Sequence, residues 1–208
     1  MKKGLLITFE GGDGVGKTTQ VKLMLDFLQK QGKKAKVVHA ISGTRIGEQI
    51  RQILLDTKNA EMKDLTEALL LQAARAQVYS EVIVPGVEKG EIILMDRSAD
   101  SSVVYQGMAR GLGIDLIKKF NKISTGGVRP DITFLLDAPA NVGLQRIQKV
   151  ESLDRLEEAG LRFHQQVRKG YLELYKEDGG KRMIKIDATK SIAEIHEQCK
   201  NYLKSLID

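Results

Sequence analysis

The sequence has little cysteine, little proline and few aromatic residues, and each shortage excludes a class of protein. Cys199 is the single cysteine in 208 residues, so the chain has no internal disulfide and no cysteine-rich zinc motif. With 3 prolines and 42% hydrophobic residues, the composition is typical of a folded globular chain rather than a disordered or collagen-like one. Cysteine usage of this kind favours a reducing compartment, and we expect a cytoplasmic protein.

Long hydrophobic runs are missing as well. The first apolar run ends at Glu10 after a few residues, which is far too short for a signal peptide or a spanning helix. Aromatic residues make up 5% of the chain, too few to stack along single-stranded nucleic acid, and the basic residues are interleaved with acidic ones. We therefore expect no membrane and no nucleic-acid partner, and the formal net charge of +6 favours a phosphate ligand.

Short apolar runs alternate with longer amphipathic segments along the chain. The apolar runs, which predict buried strands, are residues 5–9, 35–38, 91–95, 131–136 and 183–186. The amphipathic segments, which predict helices, are residues 18–30, 46–55, 65–84, 115–124, 140–148 and 161–176, followed by a closing helix over 191–206. This alternation predicts one α/β domain over residues 1–208, with parallel strands, right-handed crossovers and ligands at the carboxyl ends of the strands.

A glycine-rich segment follows directly after the first predicted strand and opens a predicted helix. It reads Gly-Gly-Asp-Gly-Val-Gly-Lys-Thr over residues 11–18 and matches the phosphate-loop pattern G-x-x-x-x-G-K-[ST]. Glycines let backbone N–H groups turn toward phosphate oxygens, the lysine reaches the β and γ phosphates, and the hydroxyl faces Mg²⁺. We therefore predict a nucleoside triphosphate and Mg²⁺ as ligands, with nucleotide contacts at Gly11, Gly12, Asp13, Gly14, Val15, Gly16, Lys17, Thr18 and Thr19.

The phosphate loop alone leaves the reaction class open, and two other segments narrow it. A GTPase would read its base with Asn-Lys-x-Asp, but residues 121–124 are Asn-Lys-Ile-Ser and lack the acid. Paired acids at a strand end would polarise water, whereas Asp96 is followed by Arg97. One carboxylate beside one arginine suits a bound anion, so the sequence favours phosphoryl transfer to a second substrate that itself carries phosphate.

Several blocks of sequence, spread over nearly the whole chain, occur together in one known family. They are residues 9–20 around the loop, Asp-Arg at 96–97 with Asp-Ser-Ser at 100–102 and Tyr-Gln-Gly at 105–107, Thr-Gly-Gly at 125–127 with Pro-Asp-Ile-Thr-Phe-Leu-Leu-Asp at 130–137, and Gly-Tyr-Leu-Glu-Leu at 170–174. Together they resemble bacterial thymidylate kinases, which are P-loop nucleoside monophosphate kinases. The resemblance implies a P-loop NTPase-type five-stranded parallel sheet flanked by helices, a short lid and a homodimer. It also implies ATP- and Mg²⁺-dependent phosphoryl transfer to dTMP, giving dTDP and ADP for dTTP synthesis.

The resemblance further implies roles for individual residues. Arg75 and Arg97 match the two arginines that hold the acceptor monophosphate, a task that suits planar guanidinium groups. Asp96 matches the acid near Mg²⁺ and the transferred phosphate, and we expect it to bind the metal together with Thr18. The expected catalytic residues are Lys17, Asp96, Arg97 and Arg146, and the expected acceptor-binding residues are Arg75, Arg97, Ser101, Ser102, Tyr105, Gln106 and Leu71.

The expected lid spans about residues 143–156. Arg146 and Lys149 are three residues apart on one predicted helix face, and Arg155 follows. Since the phosphate loop has no arginine of its own, a lid cation should supply positive charge over the donor phosphates, and Arg146, which also joins the expected ATP contacts, is our first candidate. Gln148 and Val150 stand where bacterial relatives often have further arginines.

The sequence also departs from the family pattern around the acceptor. Ala40 stands where the family has a carboxylate, Leu71 where a phenylalanine stacks on thymine, and Ser98 where an aromatic ring follows Asp-Arg. Leucine covers a base but gives no ring-on-ring stacking. Two alternatives to dTMP phosphorylation therefore stay open: a kinase for a different nucleotide or small phosphorylated acceptor, and a non-catalytic nucleotide-binding regulatory protein.

The sequence gives weaker indications of the roles of the histidines and the cysteine. His39 lies at a predicted strand end, where it either takes part in catalysis or bonds to the backbone. His164 and His196 fall within predicted helices, and we expect them at the surface. Cys199 is expected to pack inside a helix interface.

Overall fold

A five-stranded parallel sheet forms the centre of the chain, as the sequence predicted. The computed structural model describes residues 4–147 and 160–207. Its strands are β1 (Leu5–Glu10), β2 (Ala35–His39), β3 (Ile92–Asp96), β4 (Ile132–Asp137) and β5 (Met183–Asp187). Their order is β2-β3-β1-β4-β5, and every neighbouring pair is parallel. The carboxyl ends of all the strands therefore lie at one edge of the sheet.

Helices connect these strands. The first, α1 (Lys17–Lys30), buries Val21, Met24 and Leu28 at helical spacing. The others, in chain order, are α2 (Arg45–Leu55), α3 (Asp64–Val78), α4 (Val84–Glu88), α5 (Ala99–Ser102), α6 (Ile114–Ser124), α7 (Ala140–Ile147), α8 (Gly160–Asp178) and α9 (Ile192–Ile207).

Alternate residues of a strand enter different hydrophobic clusters, so the sheet is buried on both faces. In β4, Phe134 joins a cluster that includes α1 and α9, whereas Leu135 joins one formed with α6 and α8. Cys199 of α9 lies fully buried in the first cluster, where burial raises the pKa of its thiol to about 12. This confirms Cys199 as a packing residue.

The strand predictions are confirmed to within one residue at each end, but one predicted helix is interrupted and one helical segment was missed. The predicted helix over residues 65–84 is interrupted, because the backbone widens into a π-helical turn at Tyr79–Ile83 just before Pro85. No helix was predicted over residues 99–109, which form α5 and a second π-helical turn, Val103–Ala109. The helix was missed because its polar residues suggested an exposed loop, whereas several of them are buried where the helix faces a cleft.

The predicted lid lies only partly within the described residues. Residues 143–147 belong to α7, whereas residues 148–156, with Gln148, Lys149, Val150 and Arg155, fall outside them. Across residues 4–147 and 160–207, no helix is both long enough and apolar enough to cross a membrane.

Candidate active site

A cleft of about 850 Å³ opens where β1, β2 and β3 end, at the edge of the sheet where the topology predicts ligands. The structure brings most of the predicted site residues to its walls. They are Asp13, Gly14, Gly16, Lys17, Thr18, Thr19, Leu71, Arg75, Asp96, Arg97, Ser101, Ser102, Tyr105, Gln106 and Arg146. Gly11 and Gly12 lie just behind the wall, where their carbonyls bond to Lys17, and the Val15 side chain is buried in the core instead.

The phosphate loop runs from β1 into α1. Gly16 immediately precedes α1 with φ at 96°, a left-handed conformation that glycine adopts without steric cost. Lys17, the first residue of the helix, donates from Nζ to the Gly12 carbonyl at 2.5 Å and to the Gly11 carbonyl at 3.3 Å. Burial and the neighbouring Arg97 charge lower the pKa of Lys17 to about 8. An anion in the loop would restore the ordinary pKa, so this ammonium group is prepared for a phosphate.

A hydroxyl and a carboxylate meet beside the loop. Thr18 Oγ1 donates to Asp96 Oδ2 at 2.5 Å, which joins the start of α1 to the end of β3. These are hard oxygen donors of the type that Mg²⁺ prefers, so the pair fits a magnesium ion. No group of three or more His, Cys, Asp or Glu residues in the described ranges is arranged to hold a metal. A metal here would therefore be completed by substrate phosphates, which is usual for Mg²⁺ in kinases.

Asp13 of the phosphate loop holds three side chains together. Its carboxylate accepts from Arg97 Nη2 and from the Tyr105 hydroxyl at 2.9 Å. His164 of α8 lies beside it, with Nδ1 at 3.4 Å from Oδ2. Burial alone would raise the pKa of Asp13, but Arg97, the hydrogen bond from His164 and Lys17 hold it far below its usual range. The expectation that His164 lies at the surface is wrong, since this side chain is 3% exposed.

Arg97 connects the loop to the strand edge. Its φ of 64° is unusual for a residue with a side chain, and its N–H donates to the Phe9 carbonyl at 3.0 Å. The guanidinium donates to the Gly11 carbonyl at 2.9 Å and lies over the Tyr105 ring at 4.9 Å. Backbone strain of this kind persists where the surroundings fix it, and it clusters at functional sites.

Glu10, at the end of β1, is a buried carboxylate to which the sequence analysis gave no role. Its oxygens accept from the Ser98 N–H at 2.7 Å, the Ser101 hydroxyl at 2.6 Å and the Tyr171 hydroxyl at 2.8 Å. Burial, followed by the charge of Asp100, raises its pKa. The sequence did contain a signal for Glu10: it is an acidic residue at the end of an apolar strand, directly before the phosphate loop.

Arg75 of α3 is almost fully buried, at 1% exposure. Nη1 donates to Asn121 at 2.7 Å and to Gln72 at 3.0 Å, and Nη2 donates to Ser102 at 2.8 Å and to the Ser98 carbonyl at 3.2 Å. Nε has no hydrogen-bond partner among the residues that the structure describes. Nε is itself buried, so its N–H is a donor without a partner inside the protein rather than one exposed to the cleft.

Two features of the fold bear on the departures from the family pattern. An aromatic ring is missing at Ser98, but Tyr79, from the π-helical turn after α3, places its hydroxyl 2.9 Å from Ser98 Oγ, with both residues buried. An aromatic side chain from another element thus reaches Ser98 through its hydroxyl group. Ala40 lacks a carboxylate, but Glu48 of α2 lines the same cleft, as do His39 and Arg51. The sequence analysis considered neither Tyr79 nor Glu48.

Arg146 and a pair of glycines join α7 to the phosphate loop. Arg146 donates to the Gly14 carbonyl at 3.4 Å and to the Ala188 carbonyl at 3.3 Å. Gly14 and Gly143 leave no space for a side chain between them, since a Cβ on Gly14 would overlap the Gly143 carbonyl, and a Cβ on Gly143 would overlap the Asp13 carbonyl. The start of the predicted lid is therefore packed backbone to backbone on the loop.

We expect the environment of Asp13 to make the fold less stable in acid. Because the folded-state pKa is depressed below the ordinary 3.8, the carboxylate contributes stability that is present above that pH and is lost as the pH falls further. The free energy of unfolding in urea should therefore decline more steeply below about pH 4 in the wild type than in Asp13→Asn, which has no carboxylate to protonate. Parallel curves for the two proteins would contradict this prediction.

Comparisons with known proteins give one consistent result. The family model described as "Thymidylate kinase" matches residues 9–199. The thymidylate kinase of Thermoanaerobacter sp. (strain X514) is 44% identical over 205 residues, which cover 99% of this chain and 100% of that protein. That of Kosmotoga olearia is 43% identical over 194 residues, covering 93% and 92%, and that of Desulforudis audaxviator is 46% identical over 182 residues, covering 87% and 82%.

Proposed function

The chain belongs to the thymidylate kinase family, and from this premise we propose that it transfers the γ-phosphoryl group of ATP to dTMP, giving ADP and dTDP. The observation that carries the proposal is that the phosphate loop and the predicted acceptor residues line one continuous cleft. Asp13 and Arg97 are directly paired across it, so the donor and acceptor sides are held in a fixed relation. Such positioning is what phosphoryl transfer chiefly requires.

On the donor side, the loop amides and Lys17 bind the β and γ phosphates. Arg146, which already lies on the Gly14 carbonyl, stabilises negative charge on the transferred group. Thr18 and Asp96 would hold Mg²⁺ with ATP. When bound there, Mg²⁺ neutralises charge on the phosphate oxygens. The family requires a divalent metal in general, and the choice of Mg²⁺ rests on these two oxygen donors.

On the acceptor side, we assign the monophosphate to Arg97 and Arg75, which both line the cleft. The terminal nitrogens of both guanidinium groups are already hydrogen-bonded within the protein, so a bound phosphate would replace some of these contacts. Ser101, Ser102, Tyr105, Gln106 and Leu71 form the remaining wall of the acceptor pocket. Gln106 donates from Nε2 to Glu67 at 2.8 Å, which leaves its amide oxygen as an acceptor for the ring N–H of thymine.

One observation favours a second candidate function. Leu71 lines the cleft where a stacking ring is usual in the family, which is compatible with a different nucleotide or small phosphorylated acceptor. An ADP-release assay with dTMP, dUMP, UMP, CMP, GMP and AMP separates the two functions. We expect the highest kcat/KM with dTMP, and a higher value with any other acceptor would overturn the leading proposal. Binding of ATP without transfer to any of them would identify the third alternative, a regulatory nucleotide-binding protein.

We expect Arg97→Ala to affect the acceptor more than the donor. Removing the guanidinium deprives the acceptor phosphate of a charged donor, so KM for dTMP should rise about tenfold or more. The Kd for ATP should change less than about threefold, because Lys17 and the loop amides remain. Steady-state kinetics and ATP titration measure the two effects. Equal weakening of both ligands would contradict the place assigned to Arg97.

We also propose that the chain forms a homodimer through α2, α3 and α6. Each of these helices has a pair of exposed large apolar side chains spaced to share one face, and α3 contacts both of the other helices. The pairs are Ile46 and Ile53, Leu65 and Leu69, and Leu116 and Ile123. The proposal also includes a lid over residues 143–156 and a single domain for the whole chain. It places the protein in the cytoplasm, where ATP is abundant.

The dimer proposal predicts that Leu69→Glu separates the protomers. A charge in an apolar interface is costly, so light scattering after gel filtration should give the mass of one chain instead of two. Leu206→Glu is the matched control, because Leu206 is equally exposed but lies on α9. A monomeric wild type, or dissociation by both variants alike, would refute this interface.

A further inference from the structure

A second cavity, of about 480 Å³, lies beside the amino ends of β4 and β5. Its walls come from α5, α6, the loop between α6 and β4, and the end of α8. It shares no lining residue with the catalytic cleft. Its size is within the range of sites that bind small molecules, about 300–1,000 Å³.

Basic side chains outnumber acidic ones around this cavity, and some of the basic side chains have no hydrogen-bond or ion-pair partner in the described residues. The lining acids are already engaged, since Asp100 accepts from Arg182 at 2.7 Å and Glu177 from Lys118 at 2.6 Å, and Asp178 accepts from the Arg182 and Met183 N–H groups at 2.8 Å. The side chains of Lys122, Arg129 and Lys181 line the same cavity and form no hydrogen bond or ion pair with any residue in the described ranges. Several cations without partners around one cavity favour a polyanion as its ligand.

The rest of the wall is apolar. Val103, Leu174, Met183 and Pro130 are buried residues that contribute to it. A ligand that satisfies both parts of the wall carries several negative charges together with a weakly polar group that can pack on apolar side chains. A nucleoside polyphosphate has this combination.

Two links connect the second cavity to the catalytic cleft. Asn121 lines the second cavity, and its Oδ1 accepts the 2.7 Å hydrogen bond from Arg75, which lines the cleft. Asp100 also lines the second cavity, precedes Ser101 of the cleft, and contributes to the raised pKa of Glu10. A ligand that moves Asn121 or adds charge near Asp100 therefore acts directly on residues around the acceptor.

We propose that this second cavity is a regulatory site for a nucleoside polyphosphate, whose phosphates contact Lys122, Arg129 and Lys181 and whose binding alters acceptor affinity through Asn121 and Arg75. The existence of the site rests on the cavity alone, whereas its effect on the acceptor rests on the proposed kinase function.

The test uses dTTP as the probe, with the catalytic cleft filled by a bisubstrate analogue that joins adenosine and thymidine through five phosphates. Equilibrium dialysis with labelled dTTP should then detect one further saturable site per chain. The double variant Lys122→Glu/Arg129→Glu should weaken this binding about tenfold or more, because two attractive charges become repulsive. Lys176→Glu is the matched control, since Lys176 is exposed on α8, which is not one of the proposed dimer helices, and does not line the cavity. We expect it to bind dTTP like the wild type.

Kinetics tests the coupling separately. Inhibition of dTMP phosphorylation by dTTP should contain a component that excess dTMP and ATP do not relieve, and the double variant should lose that component alone. Absence of dTTP binding to the blocked protein, or equal weakening by the control variant, overturns the regulatory site. If dTTP binds but all inhibition is competitive, the coupling is wrong. Normal dTMP turnover by the wild type in either case leaves the kinase proposal intact.

Discussion

Replacing Lys17 by alanine should lower kcat by about 10³-fold at saturating ATP while leaving the fold in place. Lys17 is the charge that reaches the β and γ phosphates, so its removal takes away stabilisation that increases in the transition state. Its ammonium is desolvated, as the pKa lowered to about 8 indicates, so it does not stabilise the empty protein at neutral pH. Single-turnover kinetics and a thermal unfolding curve measure the two halves of this expectation.

The matched control for this change is Lys22→Ala. Lys22 lies on the same helix, but its side chain is exposed and outside the cleft. It should keep both activity and stability. If Lys17→Ala retained the wild-type kcat, the loop would bind nucleotide without contributing to transfer, and the non-catalytic alternative would be favoured.

Arg146→Ala should be the second most damaging change. The phosphate loop has no arginine, and Arg146 is held against the Gly14 carbonyl, within reach of the phosphates that the loop binds. Truncation should lower kcat by about 10²-fold or more, about 2.7 kcal/mol, which is typical of losing one preorganised transition-state donor. The KM for dTMP should change little, because the acceptor contacts lie on Arg97 and the residues around it.

Arg162→Ala controls for the loss of a surface arginine, because Arg162 is exposed on α8 and does not line the cleft. Lys149→Ala and Arg155→Ala test the other two lid cations. If one of these carries the loss and Arg146→Ala is nearly silent, the assignment within the lid is wrong. If all three are silent, the positive charge comes from elsewhere, such as a partner chain.

The parts of the fold and site that the sequence predicted depend on local patterns. Buried strands have continuous apolar runs, and the phosphate loop needs particular residues at fixed spacing, so both are readable in a single segment. The helix over residues 99–109 was missed for the opposite reason. Its polar face is turned inward, since Ser101 bonds to Glu10 and Ser102 to Arg75, and no local pattern distinguishes that from a solvated loop.

Contacts between distant segments were beyond a single-sequence analysis. Tyr171 and Glu10 are 161 residues apart in the chain, and Tyr79 reaches Ser98 from a different element. Burial of His164 is a similar case, because a helical pattern fixes which residues share a face but not which charged group that face meets. The sequence therefore identified many of the residues that line the cleft, but not Glu48 or Arg51, and the pairing of these residues required the packing of α3, α5 and α8 around the sheet.

The close contact of Gly14 with Gly143 limits how this protein can vary. Each glycine excludes a side chain because the other segment's backbone occupies the space, so enlarging one residue cannot be compensated by shrinking the other. Neither position can therefore drift by single substitutions, and a chain that acquires a side chain at one of them must also acquire a different spacing between loop and helix. Among descendants of this sequence, the two glycines should be kept or lost together, although they stand 129 positions apart in the chain.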